Sequence, residues 1–256
     1  MSMNKVLTEE QLKQLENYIA HVIETDGARG LAVAVINSEG ETLYQRCYGF
    51  RDVSAGLPYT PQTRQGIASV TKSFTALAIM QLMDRGLVNP EAPVQKYVSE
   101  FPHPDVLVRH LLSHSGGYLP MRRKNCRDVL SQLSLPADAD PYLSPEAAAA
   151  GRQELLEDFA GQKEFTGIPG ENFSYSNDSY ALLSEIVREY GGETSFAAYL
   201  DRYVFSPLGM TGSDLRLVFN TGEESKLYDR LPDGEISDHW TPADDMGILP
   251  GAVLVQ

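Results

Sequence analysis

Ser69 and Lys72 stand three residues apart in the stretch Ser69-Val70-Thr71-Lys72. On a helix that spacing puts both side chains on one face, within reach of each other. A serine hydroxyl is a weak nucleophile until a neighbour takes its proton. A lysine withdrawn from water can serve, because desolvation lowers the ammonium pKa. The chemistry this pair predicts is acyl transfer through a covalent acyl-enzyme on Ser69. The positive field at a helix N-terminus would favour the anion that develops beside it.

Ser-x-x-Lys by itself recurs by chance, so a second segment carries weight. Pro169-Gly170-Glu171-Asn172-Phe173-Ser174-Tyr175-Ser176-Asn177 is a Gly/Pro loop that delivers Tyr-x-Asn to the start of a helix. A tyrosine beside a buried ammonium has a depressed phenol pKa and can act as a base near neutral pH. Asn177 offers an amide donor and acceptor suited to holding Lys72 or a substrate amide. Taken apart from Ser69, Tyr175 reads as a half-buried loop aromatic.

Helices dominate the middle of the chain and must position these groups. Thr8 caps a first helix with Gln11 as capping-box partner, and Leu12, Leu15, Ile19, Val22 and Ile23 form one apolar face that ends at Gly27 and Gly30. Leu31–Ile36 and Thr42–Tyr48 read as strands joined through Asn37-Ser38-Glu39-Gly40, a hairpin. A polar segment, Arg51 to Gln65, leads to a helix from Ser69 to Arg85 stopped by Gly86. Phe74, Leu77, Ala78, Ile79, Met80, Leu82 and Met83 make that helix apolar on nearly every side, which predicts a central position. A short helix follows at Leu107 to His114, then a segment at 121–151 that reads as a variable insertion and lid. Two more helices fall at Ser179–Tyr190 and Ser195–Phe205, and the tail after Leu217 reads as loop.

Composition narrows the classes of function. The 256 residues carry 21 Lys+Arg against 35 Asp+Glu, a formal net charge of -14. Such a chain does not neutralise phosphates, so neither nucleic acid nor a membrane surface is an expected partner. No apolar run approaches a membrane span of about 20 residues. The polar N-terminus lacks a secretory h-region, so the expected location is cytoplasmic. Cys47 and Cys126 read as two reduced thiols.

With both segments in view, the chain resembles the penicillin-recognising serine hydrolases, in the branch of class C β-lactamases, DD-peptidases and family VIII esterases. Gly66-Ile67-Ala68-Ser69-Val70-Thr71-Lys72-Ser73-Phe74 is similar to that family's nucleophile segment. His110-Leu111-Leu112-Ser113-His114-Ser115-Gly116-Gly117 resembles its His-Leu-Leu-Ser-His-Thr-Ser-Gly segment, one residue shorter before the glycines. Pro169 to Asn177 resembles its second motif, and Pro207-Leu208-Gly209-Met210 a further landmark, all in the family's order from about Gly30 onward.

The resemblance implies an α/β (α+β) fold of the β-lactamase/transpeptidase-like kind, an antiparallel sheet flanked by helices with an all-helical region. The chain is expected to form a single domain over residues 1–256. Four residues are implied to be catalytic: Ser69 is acylated, Lys72 and Tyr175 share general-base and general-acid duty, and Asn177 orients them. The Ser69 backbone N–H supplies half of an oxyanion hole. No cofactor or metal is implied. The family's third motif, Lys-Thr-Gly or a His-x-Gly equivalent on a late strand, has no counterpart after Tyr175, since His239-Trp240-Thr241 is the wrong pattern and comes too early. Gly247 to Gln256 resembles the stretch before the family's later helices. The expectation is therefore an incomplete C-terminus whose last strands, with the third motif, lie on a missing segment or a partner chain.

The expected substrate is a small carboxylester or amide, which suits a cytoplasmic site better than peptidoglycan. β-Lactamase, D-Ala-D-Ala carboxypeptidase or D-aminopeptidase activity is the alternative. A non-catalytic penicillin-binding or ligand-sensing relative is an alternative of another class. Competing features read blandly. His110 and His114, four residues apart, lack a third ligand and read as structural histidines. Tyr180, Tyr190, Tyr199 and Tyr203 read as packing residues, and the Asp138/Asp140 stretch lacks the Gly and Glu of a calcium loop.

Overall fold

The computed structural model describes residues 6–119, 133, 140, 144–215, 222–230 and 236–237. Most of the 121–151 insertion, with Cys126 and Asp138, lies outside the described residues, as do His239-Trp240-Thr241 and the stretch from Gly247 to Gln256. The described residues fall into two compact units, one of 6–65 with the described part of 219–240, the other of 66–215.

The first unit begins with helix α1 (Glu9–Asp26). Thr8 Oγ1 accepts the Gln11 N–H at 3.2 Å while Gln11 Oε1 accepts the Thr8 N–H at 3.0 Å, the reciprocal capping box the sequence predicts. Gly27, at φ 71°, ends the helix. Ile19 is buried, and Leu12, Leu15, Val22 and Ile23 are half-buried. Strands β1 (Gly30–Ile36) and β2 (Thr42–Asp52) pair antiparallel from Gly30↔Gly49 to Ile36↔Thr42, with an irregularity at Val35/Ile36. Asn37 shapes their turn: its Oδ1 accepts the Glu39 and Glu41 N–H groups, both at 2.9 Å.

Two short ladders depart from the sequence expectation. β2 continues to Asp52 and pairs with β3 (Leu57–Pro58), inside the segment read as polar loop. β4 (Asp229–Arg230) pairs with β5 (Ile236–Ser237) in the tail read as loop. Each of these partners is two residues long, too short for alternation to register.

In the second unit a 3-10 turn, Ala68–Val70, opens into helix α2 (Thr71–Asp84). Then come α3 (Val108–Leu112), α4 (Pro145–Gly161), α5 (Asn177–Tyr190) and α6 (Phe196–Leu200), the last followed by a π-helical turn at Asp201–Phe205. Helix α4 starts within the expected insertion, where Ser144 Oγ accepts the Ala147 N–H, and runs ten residues past Gly151. A helical turn at Ser206–Leu208 stops at Gly209, φ 67°.

The central helix is α5 rather than α2. Helices α2, α3, α4 and α6 all pack on α5, which buries every residue from Asp178 to Val187. Several of its polar groups are paired there: Ser184 Oγ donates to the Ala181 carbonyl, Tyr180 OH to the Leu112 carbonyl, and Glu185 meets Arg188 at 2.9 Å, while the buried Ser179 Oγ has no partner among the described residues. Paired polar groups lose little on burial, which lets an amphipathic sequence occupy a centre. Helix α2 buries Ala78, Ile79 and Leu82 and leaves Leu77 and Met80 exposed. Phe101, Tyr118 and Phe159 stack edge-on in the same core, with ring centroids 4.8–6.4 Å apart.

Candidate active site

Ser69 sits in the 3-10 turn ahead of α2, exposed, while Lys72 in the first turn of α2 is buried. The tighter turn and the helix that follows keep both side chains on one side, and Lys72 Nζ donates to Ser69 Oγ at 3.0 Å. Tyr175 arrives from 106 residues away, and its hydroxyl lies 2.6 Å from the same Oγ. Ala68, immediately before the serine, has φ +45°, a left-handed conformation that costs an alanine about 1–2 kcal/mol. Strain of this kind persists only where surrounding structure holds it.

The lysine ammonium has no carboxylate within ion-pair distance among the described residues. It lies over the ring of Tyr175, 4.9 Å from the centroid, and 5.8 Å from that of Tyr180. The electron-rich faces give it partial compensation for lost water. Burial works to raise the Tyr175 phenol pKa, but the Lys72 ammonium and the Ser69 hydroxyl outweigh it and hold the phenol below its ordinary value. The Tyr180 phenol is pushed up, first by burial and then by Tyr175.

The 114–118 segment is a rail that carries the Tyr175 loop. Gly170 N–H donates to the Ser115 carbonyl at 2.7 Å, Ser174 N–H to the His114 carbonyl at 2.7 Å and Thr166 N–H to the Gly117 carbonyl at 2.8 Å. Ser176 N–H donates to His114 Nδ1 at 3.1 Å, and Ser176 Oγ then caps α5 by accepting the Ser179 N–H. The approach is close enough to require glycine at Gly117, where φ is +83° and a Cβ would stand 2.8 Å from the Gly167 carbonyl oxygen.

Of the four residues the sequence singles out, the structure joins Ser69, Lys72 and Tyr175 by hydrogen bonds. Asn177 opens α5, exposed, and no hydrogen bond joins its amide to the other three. Among the described residues nothing accepts the Ser69 N–H, which stays available to an oxyanion. Two residues read as bland from sequence also belong to the site. The His114 ring lies between those of Tyr175 (4.5 Å) and Tyr180 (4.9 Å). The only advance signal was that His114 falls within a segment with family resemblance. Among the described residues no group of three or more His, Cys, Asp or Glu side chains is placed to hold a metal.

This fold and this serine–lysine–tyrosine cluster define a class, the β-lactamase/transpeptidase-like proteins, and solved structures agree. The octameric penicillin-binding protein homologue from Pyrococcus abyssi superposes with TM-score 0.72 and 28% identity over 95% of this chain and 53% of its own. A penicillin-binding protein from Bacillus halodurans shares the fold at TM-score 0.69 and 22% identity, over 93% of this chain and 69% of its own. The family model named Beta-lactamase matches residues 15–223, and the chain belongs to that family. Protein flp of Staphylococcus aureus is 25% identical over 230 residues, 86% of this chain and 42% of its own length. A penicillin-binding protein of Bacillus subtilis is 28% identical over 203 residues, 78% of this chain and 39% of its own. The chain thus spans about four tenths of the length of these curated relatives. No helix among the described residues is long and apolar enough to cross a membrane.

Proposed function

We propose that the protein is a serine hydrolase that forms an acyl-enzyme at Ser69, with a carboxylester or small amide as substrate. The observation that carries this reading is the convergence of Lys72 Nζ and Tyr175 OH on one serine oxygen, at 3.0 and 2.6 Å. Ionised Tyr175 would accept the Ser69 proton as Oγ bonds to the substrate carbonyl carbon, with the carbonyl electron pair moving to an oxyanion facing the Ser69 N–H. Collapse of that intermediate breaks the bond to the leaving group, which takes the proton back from Tyr175 OH. Water then repeats the sequence on the acyl-enzyme, releasing the acid and restoring Ser69. Lys72 stays cationic and holds the phenolate. An ester demands least of this machinery, because an alkoxide leaves with less proton assistance than an amine.

The test is covalent labelling with a fluorophosphonate, with the modified peptide mapped by mass. Modification of Ser69 is expected, and it should vanish in Ser69→Ala; a folded wild-type chain that stays unlabelled removes the proposal. A second reading, as penicillin-binding or D-specific peptidase, is favoured by the relatives named penicillin-binding proteins. Penicillin that acylates Ser69 and remains bound, with no ester turnover, would select it or a ligand-sensing relative over the esterase.

A further inference from the structure

We infer that His114 is the positioning residue of this site: it clamps Tyr175 onto Ser69 in its neutral form and releases it when protonated. The inference rests on the proposed role of Ser69 and Tyr175 and adds a control on that role.

His114 grips the tyrosine from three directions. Its carbonyl accepts the N–H of Ser174, the residue before Tyr175, at 2.7 Å. Its Nδ1 accepts the N–H of Ser176, the residue after, at 3.1 Å. Its ring stacks on the tyrosine ring, with centroids 4.5 Å apart and planes inclined by 33°. The backbone of His114 is left-handed, with φ +55°, while its carbonyl and its ring both meet this loop. Histidine at such a φ carries strain, and this contact set is what holds it.

The grip depends on the proton count of the imidazole. Nδ1 accepts a backbone N–H only while it is unprotonated, which places the single ring proton on Nε2. A second proton would set N–H against N–H at Ser176. It would also place a cation near the Lys72 ammonium. The titratable groups facing the ring are Lys72 from α2, Tyr175 from the loop, and Tyr180 from α5 on the opposite side, with the Phe173 ring edge-on to it. Of these, only Tyr175 can carry negative charge, when ionised, and the Lys72 ammonium 4.9 Å from its ring centroid offsets it. Burial, followed by the Lys72 charge, holds the His114 pKa below its ordinary value. The clamp is therefore intact at neutral pH and fails on acidification.

Two substitutions separate this role from simple packing. His114→Asn places an amide oxygen close to the Nδ1 position, tolerates the left-handed backbone and does not titrate. His114→Phe keeps the stacked ring and removes the acceptor. The measurement is the rate of fluorophosphonate labelling of Ser69 against pH, with thermal melts as the folding control. The Asn variant should label within about threefold of wild type at neutral pH, with its acid limb displaced to lower pH. The Phe variant should label at least about tenfold more slowly throughout. A Phe variant labelled at the wild-type rate, or an Asn variant with an unmoved acid limb, overturns the inference.

Should Ser69 resist labelling in the wild type, the hydrolase reading fails first. The clamp is then judged by ultraviolet titration of the phenols, with Tyr175→Phe identifying the Tyr175 component. That component should ionise at higher pH in His114→Phe than in wild type. An unchanged midpoint discards the clamp as well.

Discussion

At the scale of single residues, the site is defined by three side chains competing for one proton. Ser69 Oγ can hold its own hydrogen and receive two others, and Lys72 and Tyr175 fill those places. Removing the phenol oxygen would deprive the serine of its proposed base while the ring still packs on His114. Tyr175→Phe should therefore slow acylation on the order of 10²–10⁴-fold with little change in melting temperature. Stopped-flow labelling beside a thermal melt checks both halves, and a variant that labels normally removes Tyr175 from the mechanism. The depressed histidine pKa values have their own consequence for stability. His114 is held down by burial and then Lys72, and His110 by burial and then Arg109. The unfolded chain then binds protons at higher pH than the native one, so this contribution is full above the unfolded histidine pKa and lost as pH falls through the folded values. Acid should destabilise wild type more than His114→Asn, measured as the difference in denaturation midpoint between about pH 7 and 5. Equal slopes for the two proteins would contradict that.

At the scale of elements, two short stretches of unusual backbone do the positioning. The 3-10 turn before α2 sets Ser69 beside Lys72 and carries the strained Ala68. Glycine relieves that strain, about 1–2 kcal/mol, against a chain-entropy cost of about 0.5–1 kcal/mol. Ala68→Gly should hold or raise stability by up to about 1 kcal/mol in urea denaturation, and slow Ser69 labelling because the turn becomes looser. A marked loss of stability would show that the φ of Ala68 is not strained. The rail at 114–118 has the opposite sensitivity. Gly117→Ala meets the Gly167 carbonyl and a positive φ together, so it should cost about 1–3 kcal/mol and weaken labelling in parallel. If only stability fell, the rail would not govern the Tyr175 loop.

At the scale of the whole molecule, the net charge of -14 sets how reactants reach the site. An acidic protein repels anionic reagents at long range and attracts cationic ones, and salt weakens both effects. Added salt should speed labelling by an anionic penicillin and slow acylation by a cationic ester; second-order rate constants at low and moderate ionic strength test the two signs. The reverse pair of signs, salt slowing the penicillin and speeding the cationic ester, would place the control in a local cation such as Lys72.

Much of the architecture is legible in the sequence, because it is local. Thr8 with Gln11, the Asn37–Gly40 turn and the start of α5 each depend on contacts within a few residues, and spacing records those directly. Ser69 and Lys72 belong to the same category, since three residues on a helical turn fix their proximity. The Gly/Pro loop and Tyr-x-Asn segment marked Tyr175, but its approach to within 2.6 Å of Ser69 across 106 residues is a tertiary fact. So is the absence, among the described residues, of a hydrogen bond from the Asn177 amide to Lys72, one of the two partners the motif offered it, the other being a substrate amide. The sequence marked α2 as central because its composition is apolar all round. Packing instead centred α5, because helices cover it on several sides, Tyr180 reaches the Leu112 carbonyl, and Ser184 and Glu185 find partners within the helix itself. His114 is the sharpest case. Composition offers only a histidine, and its acceptor nitrogen, left-handed backbone and two flanking tyrosines come from segments distant in the chain. Residue types and short spacings thus determined which chemistry the protein could attempt. Only the tertiary structure decided which groups meet, because hydrogen bonds between distant segments leave no periodic trace in the sequence.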